Sequence, residues 1–437
     1  MSVANTLLRD LVTEPWLGLS RRFTTRVLAD RLAKSHGVTP YRPEPRSILY
    51  QAASALPWHI SGYTTRTHEV IRALGAAGGT VHALTRPGYP ADRVDRLADA
   101  WGDETRVAGV NYHHLAAPLN NRPVILYALQ AAPVIAAEAE RRRVAVIHAA
   151  SNHVNALPAL LAARRLGIPF QYEMRGLWEL TRISRQPAFE DSQAYRQGLA
   201  LEALVAREAD RLFVISGQLG RHMVERWGVD ERRMALLPNC VDAGGFDAAD
   251  PAAVEADTIG YAGSLIVYEG LDTLIEATAR LLAQGRMLQV RIAGDGEARA
   301  GLEALAERLG VGQQVQFLGR VVPAEARAMI ARCALVCIPR RPFEVCRIVP
   351  PIKLVEALAV GKPVIVPDLP VFRDELGPTP GGWFFRAGDA QDLARVIDGA
   401  LARPDVLAAL GRCGREYALG QRNWARFVTP IIDALPG

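Results

Sequence analysis

The sequence is poor in cysteine, with five residues among 437 and no Cys-x-x-Cys pair. This usage disfavours both a structural zinc site and a disulfide framework, and it is typical of a reducing compartment. No apolar run reaches the ~18 residues that a membrane-spanning helix needs. The first residues, MSVANTLLRDLVTEP, lack the basic start and apolar centre of a signal peptide. We therefore expect a cytoplasmic protein.

The sequence also lacks a strong excess of positive or negative charge, because it has 51 basic and 46 acidic residues. A net charge of +5 with no basic tract between aromatics argues against a nucleic-acid partner. Residues 1–46 carry most of this excess and contain two helical patterns, roughly 3–12 and 24–34. This basic N-terminal extension predicts either peripheral contact with an anionic membrane or a solvated extension packed on the first domain.

The rest of the chain alternates apolar strand patterns with helical patterns of ten or more residues, which predicts parallel sheets in an α/β fold. The alternation covers residues 47–245, pauses in a Gly/Ala/Asp-rich linker, and restarts over residues 256–421. We expect two facing Rossmann-like, doubly wound domains with a cleft between them. The pattern of residues 422–437 predicts a C-terminal helix that packs against the first domain.

The stretch 334–370 predicts one strand–helix–strand unit of the second domain. ALVCIP and VIVP are typical of buried strands, and IKLVEALAV has helical spacing that Gly361 is expected to end. The loop before the helix carries Arg340, Arg341 and Arg347. Such loops lie at the carboxyl end of a parallel sheet, where open α/β folds bind ligands. The alternative is an ordinary surface loop with solvated arginines.

Two residues of that helix lie one turn apart, Lys353 and Glu356. A cation near a helix start suits phosphate, because the free N–H groups and the helix dipole favour anions. The carboxylate of Glu356 could meanwhile bind a sugar hydroxyl. The spacing thus predicts a ligand that carries both phosphate and sugar.

Several further motifs follow in a fixed order. In the second domain they are IGYAGSLIVYEGLDTLIEA, VRIAGDG, VQFLGRV, PPIKLVEALAVGKPVIVPD and GGWFFRAGD. In the first they are the loop around Gly62, ASNHVNALPALLAARRLGIPFQYEMRGLWELT and PNCVD. In this order the sequence resembles the family 4 glycosyltransferases of the GT-B fold. The segments SGYTTRTHEV and YEMRGLWELTRISR look most like the subgroup of bacterial exopolysaccharide assembly.

The resemblance implies transfer of a sugar from a UDP- or GDP-linked donor, with retained anomeric configuration and without a cofactor or metal. The second domain would bind the donor and the first the acceptor. Glu356 would bind the donor ribose, and the backbone of Gly319, Arg320 and Val321 would hold the base. Gly62 would let the chain approach the donor phosphate or the acceptor.

Four positions depart from the family pattern. Arg175 stands where the family often has an active-site His, which suggests a cation facing the donor sugar. Ser264 and Glu269 stand where many members have an Arg and a Lys for the diphosphate. Ile348 replaces the first Glu of an E-x7-E pair. We expect Lys353 first, then one or two of the loop arginines, to supply the missing positive charge.

These observations predict a retaining glycosyltransferase of bacterial surface-polysaccharide synthesis that works on a lipid-linked saccharide at the inner face of the membrane. Trp58 and Trp178 lie near the predicted acceptor loops, where either sugar stacking or core packing would explain them. Two alternatives stay open. One is a GT-B-fold nucleotide-sugar epimerase or phosphorylase. The other is a catalytically silent GT-B scaffold protein.

Overall fold

The computed structural model describes residues 26–30, 32, 41–93, 101–121, 123–377 and 381–435. They form two compact units. Unit 1 contains the chain up to Ile215, then Leu219–Leu237, and again the chain from Phe427. Unit 2 contains Ser216–Gln218 and Pro238–Arg426. Most of the basic N-terminal extension, including the predicted helix over 3–12, lies outside the described residues; residues 26–30 and 32 are helical.

The sheet of unit 1 has eight strands in the order β3-β4-β2-β1-β5-β6-β7-β8. All neighbours are parallel except β3 and β4, which are antiparallel. Strands β1, β5 and β6 are buried along their whole length, as expected for parallel strands covered on both faces. The strands are β1 (Ser47–Ala52), β2 (Thr80–Thr85), β3 (Glu104–Val107), β4 (Val110–His113), β5 (Val146–Ala150), β6 (Phe170–Met174), β7 (Arg211–Val214) and β8 (Met234–Leu236).

Helices connect these strands, and the last helix of the chain returns to this unit, where Ile431 O accepts a hydrogen bond from Gln171 Nε2. They are α1 (Gly62–Ala76), α2 (Val124–Arg141), α3 (His153–Leu166), α4 (Trp178–Ile183), α5 (Gln193–Glu208), α6 (Gly217–Trp227) and, at the end of the chain, α15 (Trp424–Asp433).

Unit 2 has a six-stranded, fully parallel sheet in the order β11-β10-β9-β12-β13-β14. Its strands are β9 (Glu255–Ala262), β10 (Gln289–Ala293), β11 (Val315–Gly319), β12 (Cys333–Cys337), β13 (Val364–Pro367) and β14 (Gly382–Phe385). Its helices are α7 (Leu271–Ala283), α8 (Arg299–Arg308), α9 (Pro323–Arg332), α10 (Glu344–Ile348), α11 (Ile352–Val360), α12 (Pro370–Leu376), α13 (Ala390–Leu401) and α14 (Pro404–Gln421).

Each sheet has one point at which the strand order reverses. In unit 1 this point lies between the neighbouring strands β1 and β5: β2 is added on the far side of β1, and β6 to β8 are added on the far side of β5. In unit 2 it lies between β9 and β12, with β10 and β11 on one side and β13 and β14 on the other. The loops that follow these two neighbouring strands lead to opposite sides of the sheet, and a crevice opens between them at the carboxyl edge. The predicted α/β class with two parallel sheets is thereby confirmed.

The structure contains elements that the sequence did not predict. Strands β3 and β4 and helix α2 were not predicted, and the loop before α11 contains the short helix α10. Helix α11 ends at Gly361 with φ +86°, as predicted. Among the described residues no helix is both long enough and apolar enough to cross a membrane.

Candidate active site

The crevice of unit 2 brings together three predicted or suspected site residues from two loops and a helix. Glu269 ends a 3₁₀ turn in the loop after β9, Arg340 lies in the loop after β12, and Lys353 lies in the first turn of α11. Glu269 Oε2 is 2.8 Å from Lys353 Nζ, and Glu269 Oε1 is 2.9 Å from a terminal nitrogen of Arg340. We call these three residues the charge cluster.

Glu269 and Arg340 are buried and Lys353 is mostly buried, so the ionisation of the charge cluster depends on the pairing. Burial alone would raise the pKa of Glu269, but the charges of Arg340 and Lys353 outweigh it and lower that pKa to about 2. Burial lowers the pKa of Lys353, an effect that Glu269 opposes. Two cations and one carboxylate leave a net charge of +1 at the carboxyl edge of the sheet.

Lys353 is held from two further sides. Its Nζ donates to Tyr261 Oη at 2.6 Å and lies 4.3 Å from the centre of that ring. Gly263 leaves room for it, because a Cβ there would come within 2.7 Å of Nζ. Since an ammonium has three N–H groups and Tyr261 and Glu269 use two, one remains for a ligand.

Glu356 lies one turn further along α11. Burial raises its pKa, and the charges of Arg327 and Lys353 oppose this effect. Within the described part of the chain its carboxylate accepts no hydrogen bond. A half-buried carboxylate without a hydrogen-bond donor is suited to bind the hydroxyl groups of a ligand.

The other predicted donor residues surround the same edge of the sheet. Ser264 is exposed, and its carbonyl accepts a hydrogen bond from Tyr261 Oη at 3.0 Å. Gly319 ends β11 with φ +71°, a conformation that favours glycine. Arg320 is largely exposed and its Nε lies 3.3 Å from Asp295, while Val321 is half-buried.

The loop arginines do not converge on one point. Arg340 is buried and bonded to Glu269 and to Val349 O, and Arg341 pairs with Asp272. Arg347 lies in α10 and is exposed, with no partner among the described residues. It lines an open cavity of about 610 Å³ at the carboxyl ends of β13 and β14. This cavity is also lined by Arg373, Arg386, Arg395, Asp368 and Asp392.

In unit 1, the helix that starts at Gly62 is capped by Ser61, whose Oγ accepts from the N–H of Thr64. Gly62 itself is exposed, and its φ is not in the left-handed region. Its predicted approach to a ligand stays a prediction.

Arg175, which follows β6, is 3% exposed and spends all five N–H groups on protein acceptors. It donates twice to Glu173 and once to Tyr50 Oη. The remaining two bonds go to Tyr63 O and Thr67 Oγ1. In this arrangement Arg175 has no N–H left for a donor sugar. The geometry therefore assigns it a positioning role, in which it holds Glu173 and the start of α1 in place.

Glu173 is the centre of this network. Arg66 Nε also donates to it, at 2.8 Å, and His148 Nε2 is 3.5 Å from its other oxygen. Burial would raise the pKa of Glu173, but the two arginines hold it well below the usual range. The network joins β1, β5, β6 and α1 at the crevice of unit 1.

Sequence reasoning missed the partners that hold the site together. Tyr261 lies within the motif IGYAGSLIVYEG, where the sequence does not mark it as a partner of Lys353, and at Glu269 the sequence indicates only the absence of a cation. The opposite charges of Glu269 and Lys353 were the available signal, but the two residues are 84 positions apart. Their loops meet because β9 and β12 are neighbours in the sheet, and the sequence does not reveal this strand order.

Comparison with known families agrees with this architecture. The family model described as glycosyl transferases group 1 matches residues 247–417. The model of the glycosyl transferase 4-like domain matches residues 61–240. The chain carries a glycosyl transferase 4-like domain and a group 1 glycosyltransferase domain. Together the two models span most of both units, and they confirm the glycosyltransferase family that the sequence motifs indicated.

Curated relatives of this glycosyltransferase include two D-inositol 3-phosphate glycosyltransferases. That of Geodermatophilus obscurus is 30% identical over 53% of this chain and 54% of its own length. That of Segniliparus rotundus is 27% identical over 60% of this chain and 59% of its own length. The chain thus spans between half and three fifths of the length of these two relatives.

Solved structures with the same fold include sucrose-phosphate synthase from Thermosynechococcus elongatus, with a TM-score of 0.72 and 20% identity over 88% of this chain and 97% of that one. Anabaena Alr3699/HepE in complex with UDP has a TM-score of 0.66 and 16% identity over 89% and 98% of the two chains. At this identity the likeness shows the fold, and it confirms the predicted GT-B class.

Proposed function

We propose that this glycosyltransferase moves a sugar from a UDP- or GDP-linked donor to a saccharide acceptor. The observation that carries the proposal lies on α11, at the crevice of the unit 2 sheet. There a fixed cation, Lys353, lies one turn from Glu356, a carboxylate to which no described residue donates a hydrogen bond. The first suits a phosphate and the second a sugar hydroxyl.

The roles follow from the chemistry of a nucleotide sugar. Glu356 accepts hydrogen bonds from the ribose hydroxyls, and the backbone at Gly319, Arg320 and Val321 borders the base. When the bond to the sugar breaks, negative charge grows on the diphosphate, so positive groups there stabilise the transition state. The free N–H of Lys353 is the first such group.

Glu269 acts through Lys353. It occupies a position where a cation was expected, but its carboxylate keeps two buried cations charged and fixed in place. Ser264 contributes through its backbone carbonyl, which orients Tyr261. The positive charge lost at these two positions is thereby supplied from α11 and the loop after β12.

Finer parts of the proposal rest on the resemblance and on the relatives. Anabaena Alr3699/HepE has been crystallised with UDP-glucose, which supports a nucleotide-sugar donor. We further propose retention of the anomeric configuration without a divalent metal, in the assembly of a bacterial surface polysaccharide. The acceptor would be a lipid-linked saccharide at the inner face of the membrane. The basic extension proposed to contact that membrane lies mostly outside the described residues.

The experiment is thermal unfolding of the protein with UDP, GDP, ADP or inorganic phosphate. A ligand at about one hundred times its dissociation constant stabilises the folded state by roughly 2.7 kcal/mol. We expect a rise in Tm with one nucleoside diphosphate alone, and then acceptor-dependent release of that nucleotide, unaffected by EDTA. The anomeric proton signal of the product reports retention.

Three other results would contradict the proposal. Stabilisation by phosphate together with phosphate-dependent turnover would indicate a phosphorylase. Isomerisation of the donor without an acceptor would indicate an epimerase. No response to any nucleotide would indicate a catalytically silent scaffold.

A further inference from the structure

A second cluster of titratable groups lies in unit 1, apart from the network of Glu173. Helices α3 and α4 begin at the carboxyl ends of the neighbouring strands β5 and β6. His153 is the first residue of α3, and Glu179 is the second residue of α4. Glu202 of α5 packs against both. The nucleotide site proposed above uses none of these residues.

Both carboxylate oxygens of Glu202 accept hydrogen bonds within this cluster. Its Oε1 accepts from the backbone N–H of His153 at 2.6 Å and lies 3.1 Å from the Nδ1 of the same residue. Its Oε2 accepts from Tyr172 Oη at 2.5 Å. Although burial opposes it, the hydrogen bond and charge of Glu202 raise the pKa of His153. His153 and Glu202 therefore form a fixed, buried pair.

Glu179 is different, because one of its oxygens has no partner. The residue is 6% exposed, and its Oε1 lies 3.8 Å from His153 Nδ1. Its Oε2 is buried and makes no hydrogen bond within the described residues. An unbonded buried carboxyl oxygen is costly. The side chain packs tightly on Gly198 of α5, where a Cβ would come within 2.2 Å of Oε1.

Two large aromatic side chains are exposed at the start of α4. Trp178, which directly precedes Glu179, is 53% exposed, and Tyr63 of α1 is 38% exposed. Their ring centres are 6.2 Å apart at an interplanar angle of 64°. Aromatic rings of this size normally bury most of their surface, and exposed ones are enriched at binding surfaces.

The chemistry of the patch favours a neutral ligand rich in hydroxyls. Glu179 and Glu202 outnumber the one histidine between them, so the patch offers a phosphate no excess of positive charge, and Arg175 nearby has spent its donors on the protein. A sugar ring presents apolar C–H groups on one face and hydroxyl donors at its rim. The first match the aromatic rings, and the second match the unbonded carboxyl oxygen.

We propose that Tyr63, Trp178 and Glu179 bind one sugar unit of the acceptor, with the rings against its C–H face and the carboxyl accepting a hydrogen bond from one hydroxyl. This subsite deepens the proposed function and rests on it, since it assigns the acceptor saccharide to named residues of unit 1.

Saturation-transfer NMR with the whole protein tests the subsite. The probes are the methyl glycosides of glucose, galactose, mannose and N-acetylglucosamine. We expect at least one to bind and Trp178→Ala to weaken it about tenfold. Trp227→Ala is the matched control, because Trp227 ends α6 at the opposite edge of the same sheet and should leave binding unchanged.

Two further variants test the carboxyl. Glu179→Gln keeps the shape of the side chain, and we expect it to weaken the bound glycoside about tenfold through loss of a charge-assisted hydrogen bond. Gly198→Ala moves the carboxyl without changing its charge and should weaken the glycoside as well. The Tm of each variant with and without the nucleoside diphosphate shows whether the protein is folded and whether the donor site is intact.

The pH profile gives a readout that a structural role would not change. Burial and the charge of Glu202 raise the pKa of Glu179 to about 7, and His153 opposes them. The other titratable groups around it are Tyr172 of β6 and Tyr63 of α1, which stay neutral below pH 8. Glycoside affinity should therefore rise between pH 6 and 8 in the wild type and rise less in Glu179→Gln.

The results separate this inference from the proposed function. Failure of every glycoside to bind the wild type, while a nucleoside diphosphate still raises its Tm, would overturn the subsite alone. So would equal glycoside affinity in Trp178→Ala and Trp227→Ala. Glycoside binding without any nucleotide response would instead overturn the donor proposal.

Discussion

Replacement of Glu269 by Gln should destabilise unit 2 by about 3 kcal/mol. The pKa of Glu269 falls from 4.5 to about 2 on folding. Each tenfold change in proton affinity corresponds to about 1.4 kcal/mol, so the charged carboxylate stabilises the fold by about 3 kcal/mol. The residue is 3% exposed, and solvent therefore screens the interaction little. The variant would also leave Arg340 and Lys353 buried without their counter-ion.

Denaturant-dependent hydrogen exchange, read on peptides from β9 and β12, measures this change within unit 2. Glu303→Gln is the control, because Glu303 pairs with Arg299 on the surface of the same unit at 2.7 Å. Exposed pairs of this kind contribute about 0–1 kcal/mol. A loss in Glu269→Gln no larger than the loss in Glu303→Gln would refute the reasoning.

The pH dependence of the same measurement has a definite sign. Because folding lowers the pKa of Glu269, its stabilisation is fully present above the unfolded value of 4.5 and disappears as the pH falls through about 2. The difference between wild type and Glu269→Gln should be constant from pH 7 to about 5.5 and shrink below 4.5. A difference that grew on acidification would contradict the assignment.

Three further predictions concern single side chains. Lys353→Met should lower the affinity for the nucleoside diphosphate at least about tenfold, with little change for the nucleoside, because the lost contact is a charge-assisted bond to phosphate. Equal losses of affinity for the two ligands, measured by calorimetry, would count against this prediction. Gly263→Ala should mimic this effect, since its Cβ would meet Lys353 Nζ at 2.7 Å, whereas Gly285→Ala, also at positive φ but with open space around it, should not. Glu173→Gln should destabilise unit 1 by about 3–5 kcal/mol, because two buried arginines lose their carboxylate, and unchanged hydrogen exchange in β6 would contradict this.

The sequence predicted several elements whose patterns are local. Helix α11 has helical spacing and a glycine that ends it, and β12 is a short apolar run, so both lie where expected. Strands β3 and β4 were missed because they are four residues long and half-exposed, with no continuous apolar run. Helix α10 was missed because it has five residues between prolines.

The candidate site was predictable in its position but not in its partners. The loop arginines and Lys353 were found because they flank one helix start. Their contacts depend on strand order, which brings Glu269 from the other side of the crevice. In the same way Arg175 could not be recognised as a bonded residue, since its acceptors come from β1, β6 and α1.

The most direct test of the account is a calorimetric titration that isolates the contact between Glu356 and the ribose. Wild type, Glu356→Ala and the control Glu307→Ala, an exposed residue of α8, are each titrated with the active nucleoside diphosphate and with its 2′,3′-dideoxy analogue. We predict that Glu356→Ala loses about 10- to 100-fold in affinity for the nucleotide and little for the analogue, while Glu307→Ala behaves as wild type. Equal affinity of wild type and Glu356→Ala for the nucleotide would contradict the donor site.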